Sequence, residues 1–131
     1  MLKENLYFTK LKLYREKKME KNYNDISDLQ DARATELFRS HPEAMRAHRA
    51  AMQAAQKPKE LNPKTVELMA LAIAITQRCE GCVVYHTKTA QKKGASRAEI
   101  LDTIAVAIQM GGGPATVYSA NALEVFDQFS E

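Results

Sequence analysis

The chain has 131 residues, 45% of them hydrophobic and 27% charged, with two cysteines, three histidines and a formal net charge of +3. These values fit one soluble domain and exclude a disulfide scaffold, which needs more cysteine. The longest apolar run, residues 68–75, is far below the ~20 residues of a membrane helix. Lysines and acids interrupt the N-terminus before a secretory apolar segment can form, so the expected location is cytoplasmic, with no membrane partner.

The positive charge is local. Residues 1–22 carry seven Lys/Arg against three Glu, and the remaining 109 residues carry twelve against thirteen acids. The chain therefore divides into a basic extension, 1–22, and a helical domain, 23–131. The extension has the apolar groups for a helix. Its stretch Glu4-Asn-Leu-Tyr-Phe8 also resembles most of a tag-removal protease site, with Thr9 where Gln is expected, and Met19 is an alternative natural start. A basic helix can bind nucleic acid or anionic membrane. The aromatic spacing matches no RNA-binding motif, however, so the expectation is a solvated or oligomer-capping helix and no nucleic acid partner.

Asp25 or Ser27 can cap the next helix, in which Leu29, Ala32, Ala34, Leu37 and Phe38 recur at helical spacing. It should stop near Ser40-His41, because a residue before proline is pushed out of the α region. Pro42 suits the first turn of a helix over about 42–56, rich in alanine and methionine. His41 and His48 read as surface or cap residues, since no acid or Cys lies at ligand spacing. After a loop at 57–62, Asn62 and Pro63 form a strong helix start. From Val66 to Ile75 every residue except Glu67 is apolar, which marks a buried helix at the centre of the domain or of a subunit interface. Glu67 is expected in the first turn, where the helix dipole favours an acid, and that alone would account for it.

A further helix is expected from about Cys82, after a break at Gly81, to Lys93, ending at Gly94. Ser96-Arg-Ala-Glu99 is a capping box. The helix it opens should turn Ile100, Leu101, Ile104, Ala105, Ala107 and Ile108 toward the core. Gly111-Gly112-Gly113-Pro114 lacks a following Lys-Ser/Thr and a preceding strand, so it reads as a tight turn rather than a phosphate loop. A last helix should end near Phe129. No strand pattern appears, and the fold class is all-α with about six helices.

Both cysteines and one histidine stand in Cys79-x-x-Cys82-x-x-x-His86, and Glu67 lies twelve residues before Cys79. Three readings compete. Cys and His suit zinc, but a structural site needs four ligands and no second Cys/His pair exists. Buried inert cysteines are common, although the spacing and the adjacent His argue against them. The third reading is a redox dithiol. A Cys at a helix N-terminus has its thiolate favoured by unpaired N–H groups, and a nearby His can accept its proton. Cys82 is at such a position and His86 is one turn on, on the same face. Cys79 can then attack an oxidised Cys82. If one straight helix joined Glu67 to Cys79, twelve residues at ~1.5 Å each would hold them ~18 Å apart. Contact then needs a bend, a chain return or a neighbouring subunit.

The pattern Glu67, eleven residues, Cys79, two residues, Cys82, three residues, His86 resembles that of the alkyl hydroperoxidase D-like, or carboxymuconolactone decarboxylase-like, proteins. Leu61-Asn-Pro-Lys-Thr65, Lys93-Gly-Ala-Ser-Arg-Ala-Glu-Ile100 and Met110-Gly-Gly-Gly-Pro114 are similar to single-domain members, and the likeness covers about residues 35–127. It implies an all-helical fold assembled as a homo-oligomer, a trimer or hexamer. It implies reduction of a small hydroperoxide, in antioxidant defence. Cys82 would be the peroxidatic thiolate, Cys79 the proton donor and resolving thiol, and His86 and Glu67 a proton relay. A dithiol reductant of lipoyl or thioredoxin type would reset the disulfide, with no bound cofactor or metal. Some members carry a His just before the second Cys, where this chain has Gly81. The decarboxylase branch generally lacks the cysteine pair. Alternatives are a general thiol-disulfide oxidoreductase acting on a protein or lipoyl partner, and a non-catalytic helical assembly protein.

Overall fold

Pro42, Pro63 and Pro114, each at the first or second position of a helix, and the Ser96–Glu99 capping box punctuate a chain that is otherwise helical. A computed structural model describes residues 6, 8–13 and 21–130. Much of the basic extension thus lies outside the described residues, and of it residues 8–13 are helical. The helices of the domain are α1 (Tyr23–Ser40), α2 (Pro42–Ala55), α3 (Pro63–Thr76), α4 (Glu80–Lys92), α5 (Arg97–Gly111) and α6 (Gly113–Phe129). No strand occurs among the described residues.

The core lies among α3 to α6. Leu71 and Ile75 of α3, Val83 of α4, Ile100 and Ile104 of α5, and Ala115, Ala122 and Phe126 of α6 form one apolar cluster. Small residues at Ala74, Ala90 and Ala107 fill the remaining contacts. A second cluster fastens α1 to this unit, with Tyr23 against Val84 and Val125. Gln128 ties the entry to α1 from both ends of its amide: Oε1 accepts from the Tyr23 N–H at 2.9 Å, and Nε2 donates to the Lys21 carbonyl at 2.8 Å. Helix α2 packs on α1 and buries none of its own residues.

Several boundaries differ from the sequence expectations. Asn22, not Asp25 or Ser27, caps α1, and its Oδ1 accepts from the N–H groups of Asn24 and Asp25 at 3.0 and 3.4 Å. Helix α4 starts at Glu80 with Cys79 as N-cap, so Gly81 sits inside the first turn and breaks nothing. Glu67 is the fifth residue of α3 and lies beyond the first turn. In α5 only Ile100, Ile104 and Ala107 of the expected inward set are buried, while Leu101, Ala105 and Ile108 are exposed. A helix on one side of a small core buries a single stripe.

Two chain reversals set the site. At the end of α3, Cys79 N–H donates to Ala74 O at 3.2 Å and Arg78 N–H to Ile75 O at 3.1 Å. This is a Schellman turn, with Arg78 in the left-handed region at φ 58°. At the end of α4 the same pattern recurs from Ala95 to Ala90 and from Gly94 to Gln91, with Gly94 at φ 88°. Three residues therefore separate α3 from α4, and the two helices run back along each other as an antiparallel pair.

Candidate redox site

The α3–α4 turn delivers the cysteines to the beginning of α4. Cys79 and Cys82 are joined as a disulfide, with their Cα atoms 5.2 Å apart. Cys79 Sγ also accepts the Cys82 N–H at 3.3 Å, in the manner of an N-cap side chain. Cys79 at the N-cap and Cys82 in the first turn both stand at the positive end of α4, a place that favours thiolate once the disulfide is reduced. The sequence reading gave that place to Cys82 alone, because it began the helix two residues too late. Between the cysteines, Glu80 accepts from Lys21 Nζ at 2.6 Å, so an acid that would oppose thiolate formation is paired. Gly81 lies against α1: a Cβ there would stand 3.4 Å from the Gln30 side chain. A shallow groove beside it is lined by Ile26, Ser27, Gln30, Val84 and Tyr85.

The antiparallel return of α4 brings His86 to Glu67. His86 Nδ1 lies 2.8 Å from Glu67 Oε2. The glutamate is 1% exposed, so it is a buried carboxylate and not a solvated first-turn acid. Its second oxygen, Oε1, accepts from Lys93 Nζ at 2.8 Å. Lys93 Nζ also donates to Gln56 Oε1 at 3.1 Å, from the chain just after α2. The Tyr85 ring meets the His86 ring edge-on, with centroids 5.0 Å apart.

Of the four residues singled out from the sequence, the structure joins Cys79 to Cys82 and His86 to Glu67. No hydrogen bond links the two pairs among the described residues; His86 follows Cys82 by one turn of α4. Lys93 and Gln56 were missed. Lys93 reads as a helix-ending residue, yet it lies seven positions after His86 and so shares its face, which is the signal that could have found it. Gln56 carried none. Among the described residues no group of three or more His, Cys, Asp or Glu is placed to hold a metal ion. No helix among them is long and apolar enough to cross a membrane.

The carboxymuconolactone decarboxylase family profile matches residues 42–125. The chain belongs to the carboxymuconolactone decarboxylase family. An uncharacterized protein of Haemophilus influenzae is 43% identical over 91 residues, which cover 70% of this chain and 80% of the relative. An uncharacterized protein of Cupriavidus necator is 37% identical over the same length and the same shares. Among solved structures, a member of the family from Legionella pneumophila is 38% identical and superposes with a TM-score of 0.80, over 83% of this chain and 97% of that one. A family member from Thermotoga maritima, 24% identical, shares the fold with a TM-score of 0.69, over 78% of this chain and 88% of that one. The all-helical architecture expected from the resemblance is therefore the observed one.

Proposed function

We propose that the protein is a thiol-dependent peroxidase that reduces small hydroperoxides through a Cys79–Cys82 dithiol/disulfide cycle. The observation that carries this reading is a disulfide-forming pair at the start of α4 with the His86–Glu67 pair one turn further on. In the cycle, the Cys82 thiol gives its proton to the His86–Glu67 relay. Its thiolate attacks one peroxide oxygen, the O–O bond breaks, and the alkoxide leaves with a proton from Cys79 as an alcohol. Cys82 is then a sulfenic acid. Cys79 thiolate attacks that sulfur, the S–S bond forms, and hydroxide leaves as water with the proton held on the relay. An external dithiol of lipoyl or thioredoxin type is oxidised as the disulfide is reduced, so one peroxide and one dithiol yield alcohol, water and one external disulfide.

Two further observations bear on the reading. The Thermotoga family member carries a suggested part in antioxidative response. The decarboxylase branch of the family generally lacks the cysteine pair, whereas this chain places its pair at the start of a helix, one turn before His86. We place the reaction in the cytoplasm, where a dithiol pool keeps the pair reducible. The working form is a homo-oligomer, a trimer or hexamer. Met69, Ile73, Val106, Met110 and Val117 are exposed on α3, α5 and α6, with Ile73 58% and Met110 76% exposed, and a partner protomer covering them would remove that apolar surface from water. Sedimentation of the protein and of Ile73→Asp tests this: a monomeric wild type contradicts it. The activity is tested by turnover of cumene hydroperoxide with dihydrolipoamide as reductant. Rapid disulfide exchange without peroxide consumption would favour a general oxidoreductase instead.

A further inference from the structure

We propose that Lys93 is a positioning residue of this site: it supplies the positive charge that balances Glu67, which leaves His86 neutral, with Nδ1–H donated to Glu67 and the Nε2 lone pair free. The observation is one buried carboxylate divided between two partners. Glu67 Oε1 takes Lys93 and Oε2 takes His86, each at 2.8 Å. A buried carboxylate persists as an anion only with a cation and hydrogen bonds around it. Either partner could bring that cation.

The geometry favours Lys93. Its side chain is 30% exposed, so part of its hydration is kept, and Gln56 Oε1 takes a second N–H at 3.1 Å. The ammonium thus donates to both Glu67 Oε1 and Gln56 Oε1. With one cation in place, a second proton on His86 would set two positive charges on one buried anion. No other charged group lies within ion-pair distance of Glu67 among the described residues. From α4 and its C-cap come His86 and Lys93; on α5, Glu99 is itself paired with Lys64 at 2.8 Å.

The tautomer follows from the donor inventory. An ionised carboxylate only accepts, so the proton between Glu67 and the ring belongs to Nδ1. Nε2 has no hydrogen-bond partner among the described residues. The base is thereby oriented by a third group, as in other nucleophile–base pairs, but here the third group is itself held by a fourth. A neutral ring one turn after Cys82 can take a thiol proton, whereas an imidazolium cannot. That consequence rests on the dithiol reading above; the ring's protonation does not.

Ring-nitrogen NMR of the full chain at neutral pH, with His86 assigned by His86→Gln, tests the assignment. The expected wild-type signature is a neutral ring protonated at Nδ1. Lys93→Met should shift His86 to the doubly protonated signature at the same pH, and Lys93→Arg should restore the neutral ring. A wild-type ring that is doubly protonated, or protonated at Nε2, overturns the proposal. So does a Lys93→Met ring identical to wild type. Where Lys93→Met does not fold, a wild-type ring that is doubly protonated or protonated at Nε2 still overturns the proposal. Peroxide turnover measured alongside keeps the two readings apart: an inactive wild type with the expected ring signature removes the peroxidase function and leaves the role of Lys93 standing.

Discussion

Glu67 and His86 are nineteen positions apart in the chain and 2.8 Å apart in space. The contact exists because Arg78 adopts a left-handed conformation that reverses the chain between α3 and α4. The ~18 Å expected along a straight helix is thus removed by a return of the chain, within one protomer. It joins Glu67 to the histidine rather than to either cysteine.

Replacing Glu67 should separate chemistry from folding. Glu67→Gln keeps the shape but removes the charge that holds Lys93 and orients His86. Peroxide turnover should fall about 100-fold, the lower range for loss of a general acid–base element. Glu67→Ala should in addition lose about 3 kcal/mol of stability, as when one partner of a buried pair is removed. Steady-state kinetics and urea unfolding measure the two effects, and a fully active Glu67→Gln would exclude the relay.

Arg78 bears a conformation that L side chains rarely adopt, at about 1–2 kcal/mol. Arg78→Gly relieves this, less about 0.5–1 kcal/mol for the extra freedom of glycine in the unfolded chain. A net gain of about 0.5 kcal/mol in urea unfolding is expected, whereas Arg78→Val should destabilise. Equal stability of the Gly and Val variants would contradict the turn geometry.

Thr87 and Ser119 are buried with hydroxyls that have no hydrogen-bond partner among the described residues. Thr87→Val keeps the shape and removes the polar atom, so stability should rise by about 1 kcal/mol. Thermal unfolding of the reduced protein provides the check; a loss of that size would mean that the hydroxyl has a partner.

Burial, reinforced by Glu80 and Glu124, pushes the Tyr23 hydroxyl from 10.0 up to about 12. The folded state therefore holds this proton more tightly than the unfolded chain. The contribution to stability is full below pH 10 and is lost as pH rises through about 12. Tyr23→Phe should show a shallower alkaline decline over that window in pH-dependent unfolding. Parallel profiles for the two proteins would remove Tyr23 as its source.

Much of this was legible in the sequence where a local residue decides the local structure. Asn62-Pro63, the Ser96–Glu99 box, Pro42 and Gly94 placed helix ends because caps and φ preferences act over three or four residues. The Arg78 turn was not legible, since the same Schellman geometry that Gly94 announces is there carried by a residue that avoids it. Its invisibility misplaced the start of α4, made Gly81 look like a break and hid Cys79 as the N-cap. Leu101 and Ile108 misled for another reason: apolar side chains satisfy a helical pattern whether the face meets the core or the surface. Lys93 escaped notice because its acidic partner lies on a different helix: the seven-residue spacing from His86 says that the two share a face, not what that face meets.

The central claim is that Cys82 attacks the peroxide and Cys79 resolves the product. The most direct measurement is dimedone trapping of sulfenic acid after one equivalent of cumene hydroperoxide, on reduced Cys79→Ser and Cys82→Ser proteins. The account predicts a stable adduct on Cys82 in Cys79→Ser, none in Cys82→Ser, and loss of dihydrolipoamide-dependent turnover in both. An adduct on Cys79 in Cys82→Ser, with none on Cys82 in Cys79→Ser, would reverse the roles, and the absence of any adduct with undiminished thiol–disulfide exchange would contradict the peroxidase assignment itself.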